Sequence, residues 1–282
     1  MKQEKFWIRL FSALLIFFTM APFLTLFLGS LVPNSYVVNG LDIHSLRNIS
    51  FKNYIEISSS FFSYEKSPYL RYLLSTLIIC FGTVVFVVIL SIFNAYFFSR
   101  LANKWVRKLE HLLIFTYFFP SVILIFAYFD IYAKLNLNNS FAGLIIANTA
   151  FCYPFSSWLL IGNFNEIPTI YDKSAILDGV SKYSILRNII IRKSYTGIFT
   201  ISLFSFVLTW NELAFAMNLT TSSSVTRPLS AGVVDIVLNQ GESSQLGLFS
   251  AFGVITLTPL MLIFIILELK SHKLLLKENK SF

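Results

Sequence analysis

Six stretches of this chain stay apolar for as long as a bilayer requires: 10–32, 72–98, 111–129, 141–162, 197–218 and 246–267. A hydrocarbon core about 30 Å thick takes roughly 20 helical residues. Inside it each backbone N–H and C=O must find its partner within the protein, and for single apolar runs of this length the helix is the structure that provides it. Composition agrees, because 56% hydrophobic residues, 31 Phe and a mean hydropathy of +0.70 lie well beyond what a water-soluble domain carries. The predicted fold class is all-α, a polytopic membrane helical bundle of six transmembrane helices. It forms one transmembrane domain over 1–282, with no soluble domain and no linker long enough to join two.

An even number of spans puts both termini on one side, and the basic residues choose the side, since short inner loops are enriched in Lys and Arg. With the N-terminus inside, the inner segments carry Lys2, Lys5 and Arg9; Arg100, Lys104, Arg107 and Lys108; Lys173, Lys182, Arg187, Arg192 and Lys193; and Lys270, Lys273, Lys277 and Lys280. The outer segments keep only Arg47, Lys52, Lys66, Arg71, Lys134 and Arg227 of the 22 basic residues. The prediction is N-in and C-in, multi-pass, in the cell (inner) membrane. The net charge of +8 is thereby accounted for by anionic headgroups, and no nucleic-acid partner is called for. Lys2, Lys5 and Arg9 ahead of an apolar run resemble the start of a signal peptide. The run continues to residue 32 with no small-x-small cleavage site, so an uncleaved first span is expected.

The remaining features are read in the same frame. Cys80 and Cys152 fall inside spans, where a thiol packs as a small apolar group, so neither a disulfide nor a metal site is expected. The outer segment 33–71 reads as a cap of short helices, and 220–245, with its Thr/Ser run and Arg227-Pro228, as an irregular outer loop. Pro22, Pro120, Pro154 and Pro259 lie within or near spans and each removes a backbone donor.

Against this background the polar, charged segment 163–196 stands apart. Pro168 can open a helical turn, Ile170, Ser174 and Leu177 have helical spacing, Asp178-Gly179 breaks the pattern, and Ser181 is placed to cap a second helix leading into the fifth span. Helix, sharp corner, helix is expected on the cytoplasmic face. Two amphipathic helices could lie in the headgroup region; the corner is better suited to a groove on a partner protein.

The same residues resemble the signature loop of ABC-importer inner-membrane permeases, E-A-A-x-x-D-G followed by nine residues and I-x-L-P. Lys173, Ser174 and Ala175 stand at E-A-A, Asp178 and Gly179 at D-G, 180–188 intervene, and Ile189-Ile190-Ile191-Arg192 stand at I-x-L-P. Trp210-Asn211-Glu212 resembles the W-N-E of the carbohydrate subfamily that includes the maltose permease. Arg227-Pro228-Leu229-Ser230-Ala231-Gly232 is similar to its R-T-L-P-x-G, and Leu73-Leu74-Ser75-Thr76-Leu77 to its L-L-N-S-L. The set occurs in the family's order across roughly residues 70 to 270. Lys173 in place of the acidic residue and Arg192 in place of the proline are departures. Docking is expected to persist with altered contacts, and the second helix to run on unbroken. Asp172 carries a carboxylate one residue earlier, about 100° around a helix from position 173.

The resemblance implies a permease subunit of an ABC importer, half of a transmembrane pathway for a carbohydrate or related solute. The ATPase-docking (coupling) loop would comprise Asp172, Lys173, Ser174, Ala175, Leu177, Asp178, Gly179 and Ser181. No phosphate-cradling G-x-x-x-x-G-K-[ST] occurs, so the chain is expected to bind no cofactor, ATP and Mg being used by a separate partner. The implied partners are a cytoplasmic ABC ATPase dimer, a second permease subunit completing a heterodimer, an external solute-binding protein and the lipid bilayer.

Polar residues within the spans are the candidate translocation residues: Asn94, Asn148, Asn211 and Glu212. Asn in membrane helices more often bonds a neighbouring helix. No catalytic or metal site is expected: His44, His111 and His272 lie in separate segments, and neither H-E-x-x-H nor G-x-S-x-G is present. The alternative from another class is a secondary transporter or channel subunit working without an ATPase. It would have no use for the Asp178-Gly179 corner.

Overall fold

The computed structural model describes residues 2–33, 37, 45–61, 69–221, 225–239 and 246–278, and the regular structure among them is helical throughout. In chain order the helices are α1 (Lys2–Ser30), α2 (Lys52–Phe61), α3 (Tyr69–Tyr96), α4 (Lys104–Arg107), α5 (Glu110–Tyr117), α6 (Ser121–Lys134), α7 (Phe141–Glu166), α8 (Ile170–Leu177), α9 (Lys182–Ile185), α10 (Ile191–Lys193), α11 (Tyr195–Trp210), α12 (Ala214–Leu219), α13 (Leu229–Asn239) and α14 (Leu246–Glu278). A 3₁₀ turn occupies Ser45–Asn48, and wide π turns follow α3 at Phe97–Leu101 and α9 at Leu186–Ile190.

Four of the described helical segments are long and apolar enough to cross a membrane: Trp7–Ser30, Leu70–Leu101, Phe141–Glu166 and Leu246–Ile263. The spans expected over 111–129 and 197–218 are each two helices, which corrects the expectation of one helix for each. Between α5 and α6 the break falls at Pro120, which has no N–H to give and sits at ψ 126°. Between α11 and α12 it falls at 211–213, where the Glu212 carboxylate takes the amides of Phe215 and Ala216 at 2.8 and 3.1 Å. Pro22, Pro154 and Pro259 lie inside continuous helices.

A second correction concerns 220–245. Its middle is α13, with Pro228 just ahead of the first turn and Gly232 donating its amide to the Pro228 carbonyl at 2.9 Å; 222–224 and 240–245 lie outside the described residues. Of the expected cap over 33–71, the 3₁₀ turn and α2 are described, while 34–36, 38–44 and 62–68 are not.

The chain divides into two compact units, 71–232 and a unit made of 1–70 with 233–282. In the second of these, α1 packs along α14, and α2 is fastened to the end of α1. Asn53 donates to the carbonyls of Ser30 and Val32 at 2.9 and 3.1 Å, and the Ser30 hydroxyl meets Tyr54 Oη at 2.7 Å.

In unit 71–232, small polar side chains let the helices approach closely, as is usual where water offers no hydrophobic drive. Ser157 donates to Ser91 at 3.2 Å between α7 and α3, and Ser156 meets Ser205 at 3.3 Å between α7 and α11. One apolar cluster, around Phe164, Leu160, Ile185, Ile190 and Ile201, lies under the segment 163–196. Another, around Ile79, Leu144, Ala147 and Phe215, packs α3, α6, α7 and α12.

Candidate functional site: a helical elbow and the polar residues within the helices

Local chemistry shapes the elbow. α7 ends at Ile167, whose extended ψ of 119° is the conformation a following proline favours. α8 then ends in a Schellman motif: Gly179 has φ 75°, its amide bonds the Ile176 carbonyl at 3.0 Å, and the Val180 amide bonds the Ala175 carbonyl at 2.9 Å. A residue with a side chain rarely adopts that φ, which is why glycine occupies the corner. Ser181 accepts from the Ser184 amide at 3.3 Å and caps α9. With Arg192 in place of proline, the helical bonding continues, and the Ser194 amide reaches the Ile190 carbonyl at 2.9 Å on the way into α11.

The elbow has two faces. Lys173, Ser174, Ile176, Asp178, Gly179, Val180, Ser181 and Tyr183 are exposed, and Leu177 at the apex is 88% exposed. Asp172 and Ala175 turn the other way, into their own chain. Ala175 joins the Phe164 cluster. Asp172 Oδ2 lies 2.8 Å from Arg100 Nε, with only 13% and 8% of the two side chains exposed. The N–H is not aligned with that oxygen, so charge and proximity hold the pair. The same guanidinium donates through Nη2 to the Ile167 carbonyl at 2.8 Å. One turn earlier on α3, Tyr96 Oη donates to the Lys182 carbonyl at 3.3 Å. Lys193 Nζ lies 4.0 Å from the centre of the Tyr171 ring.

The sequence singled out Asp172 by its charge and counted Arg100 only toward topology. Their meeting joins residues far apart in the chain. The available signal was an arginine just past the end of a long apolar helix, where an isolated charge needs a counter-ion.

The four polar residues within the helices do not form one cluster. Asn148 and Glu212 line a small, partly open pocket of about 10 Å³ together with Thr76 and Thr209, which has no room for a sugar. The Glu212 carboxylate serves there as the N-terminal cap of α12, and the Glu212 carbonyl accepts from Ser230 Oγ at 2.6 Å. Asn148 Nδ2 bonds the Leu144 carbonyl one turn back at 2.9 Å, and its Oδ1 has no hydrogen-bond partner among the described residues. Asn211 is exposed at the break, its Nδ2 on the Val207 carbonyl at 2.8 Å. Asn94 is half-buried on α3, away from that pocket. Arg227, placed by the sequence in an outer loop, is buried, and its Nη1 donates to the Thr220 carbonyl at 2.6 Å. It ties the chain just ahead of Pro228 to the end of α12.

Among solved structures, a chain of a bacterial ABC transporter involved in the import of the acidic polysaccharide alginate has the same fold, with a TM-score of 0.78 at 19% identity, covering 95% of this chain and 97% of that one. Relatives in sequence include the trehalose transport system permease protein SugB of Mycobacterium tuberculosis, 28% identical over 95% of this chain and 94% of that protein. The trehalose/maltose transport system permease protein MalG of Thermococcus litoralis is 27% identical over 78% and 77%. The sulfoquinovosyl glycerol transport system permease protein SmoH of Agrobacterium fabrum is 27% identical over 73% and 71%. The family model for the binding-protein-dependent transport system inner membrane component matches residues 63–274, three quarters of the length, so the chain belongs to that family and is a membrane-embedded, non-catalytic permease component of an ABC importer.

Proposed function

We propose that this permease imports a carbohydrate as one of two membrane halves, with six membrane crossings, both termini in the cytoplasm and the elbow 163–196 as its docking surface for the ATPase. In this reading 1–282 acts as a single permease domain, with 110–134 and 195–219 crossing as broken helices. SugB, MalG and SmoH are named for the transport of trehalose, of trehalose and maltose, and of sulfoquinovosyl glycerol, which supports a carbohydrate solute. An ATPase, an external binding protein and a second permease follow from the kind of system the family serves.

The observation that carries the docking role is the apex itself: Leu177 stands almost wholly in solvent between Ile176 and the left-handed Gly179. Among the described residues little packs against that side chain. A short apolar ridge on a rigid corner is what a groove on another protein takes up. Lys173, Ser174, Asp178 and Ser181 frame the ridge, while Asp172 and Ala175 set its angle from behind. For the pathway, Asn211 is the residue with a carboxamide exposed at a helix break; Asn94, Asn148 and Glu212 support the wall.

The test is ATP-dependent uptake of labelled disaccharides by cells carrying the complete system with Leu177→Asp or Gly179→Val. Both variants are expected to insert normally, lose the ATPase on purification and lose uptake. Normal uptake by either would remove the docking role.

A further inference from the structure

Both arms of the elbow are gripped from behind by the same helix end. Arg100, carried on the π turn that prolongs α3, holds the first arm twice, by its charge on Asp172 inside α8 and by its bond to the Ile167 carbonyl at the arm's entry. Tyr96, one turn back, holds the second arm through the Lys182 carbonyl at the start of α9. The Schellman corner lies between these attachments.

We propose that Arg100 is the positioning residue through which a displacement of the elbow is passed to the second membrane helix. α8 is only 8 residues long and has no side-chain cap at its start, so it has little stiffness of its own. What makes it move with α3 is a contact that cannot open cheaply. Separating Arg100 from Asp172 would leave two nearly buried charges without a counter-ion, a far greater cost than parting apolar surfaces. The bond to the Ile167 carbonyl holds the chain at the entry to α8 as well. The contact between Lys193 and Tyr171 sits on exposed side chains and gives way easily. Force applied at Leu177 is therefore carried into α3 by the ion pair, whereas the path into α11 runs along the continuous backbone of α9 and α10.

This inference rests on the docking role proposed above, and its test separates the two. The assembled transporter, with its second permease, ATPase and binding protein, is reconstituted in proteoliposomes, and solute moved per ATP hydrolysed is measured. The variants are Arg100→Gln, Asp172→Asn, the two together, and Arg100→Asp combined with Asp172→Arg. Arg100→Gln is expected to retain the bound ATPase and its hydrolysis, and each single substitution to lower solute per ATP about tenfold, within the usual range of coupling between sites. The double substitution should be no worse than the poorer single one, because the pair acts as a unit. The charge exchange should restore part of the ratio.

Singles within about twofold of wild type, losses that multiply in the double variant, or detachment of the ATPase by Arg100→Gln would each overturn the inference. A Leu177→Asp control run alongside reports on docking alone. If Leu177→Asp detaches the ATPase while Arg100→Gln transports normally, the inference fails and docking stands. If Leu177→Asp transports normally, docking itself fails.

Discussion

Replacing Glu212 tests whether the acidic residue at the break between α11 and α12 is structural or touches solute. Its two carboxylate oxygens cap the amides of Phe215 and Ala216 at 2.8 and 3.1 Å, and both of those residues are 0% exposed. Glu212→Ala leaves two buried donors without acceptors. Each costs about 1–3 kcal/mol, and loss of a cap as a whole costs about 0.5–2 kcal/mol, so about 3 kcal/mol is expected. Glu212→Gln keeps one carbonyl oxygen as acceptor and loses the charge, which lowers the cost to about 1 kcal/mol. At roughly 2–4 °C per kcal/mol for a chain of this size, Glu212→Ala should melt about 6–12 °C lower and Glu212→Gln about 2–4 °C lower. The assay is size-exclusion of heated, detergent-solubilised protein, paired with uptake normalised to folded protein. For a cap, uptake per folded molecule in Glu212→Gln stays within about twofold of wild type. Abolished uptake in Glu212→Gln with an unchanged melting temperature would refute the capping argument and make the carboxylate a solute ligand.

Two further substitutions test the packing of each unit. A Cβ at Gly232 would run into the ring of Tyr72, itself buried against α13, so Gly232→Ala should lose about 1–3 kcal/mol to overpacking despite the better helix propensity of alanine, read as a fall in melting temperature. Asn53→Leu removes both bonds that tie α2 to the end of α1 and strands the carbonyls of Ser30 and Val32; about 2 kcal/mol is expected, with faster proteolysis near residue 50 as the check.

The local chemistry of the elbow was legible because it depends on short-range rules. A proline sets the residue before it, a glycine accepts the left-handed corner, and a serine caps the helix that follows; 168, 179 and 181 announce themselves within a window of a few residues. Hydropathy located the apolar runs but not their interruptions, since Pro120 and Glu212 alter hydrogen bonding rather than mean polarity. α13 was hidden by the Thr/Ser run ahead of it, although Pro228 marks a helix start. The burial of Arg227 and the pairing of Arg100 with Asp172 had no local signature, because both are set by which helices become neighbours. For Asp172 the sequence did indicate a direction away from Lys173, and the structure places an arginine there.

The two π turns, at Phe97–Leu101 and Leu186–Ile190, each accommodate one surplus residue, seen in the Ala102 amide reaching back five positions to Phe97 and the Ile191 amide to Leu186. One residue of helix corresponds to about 100° of rotation. Removing a single amino acid from either turn would let the ladder close regularly and swing everything beyond it by more than a quarter revolution, carrying Arg100 off its carboxylate or turning α11 against its neighbours. A substitution in these turns changes one side chain, whereas a one-residue deletion would unscrew the joint.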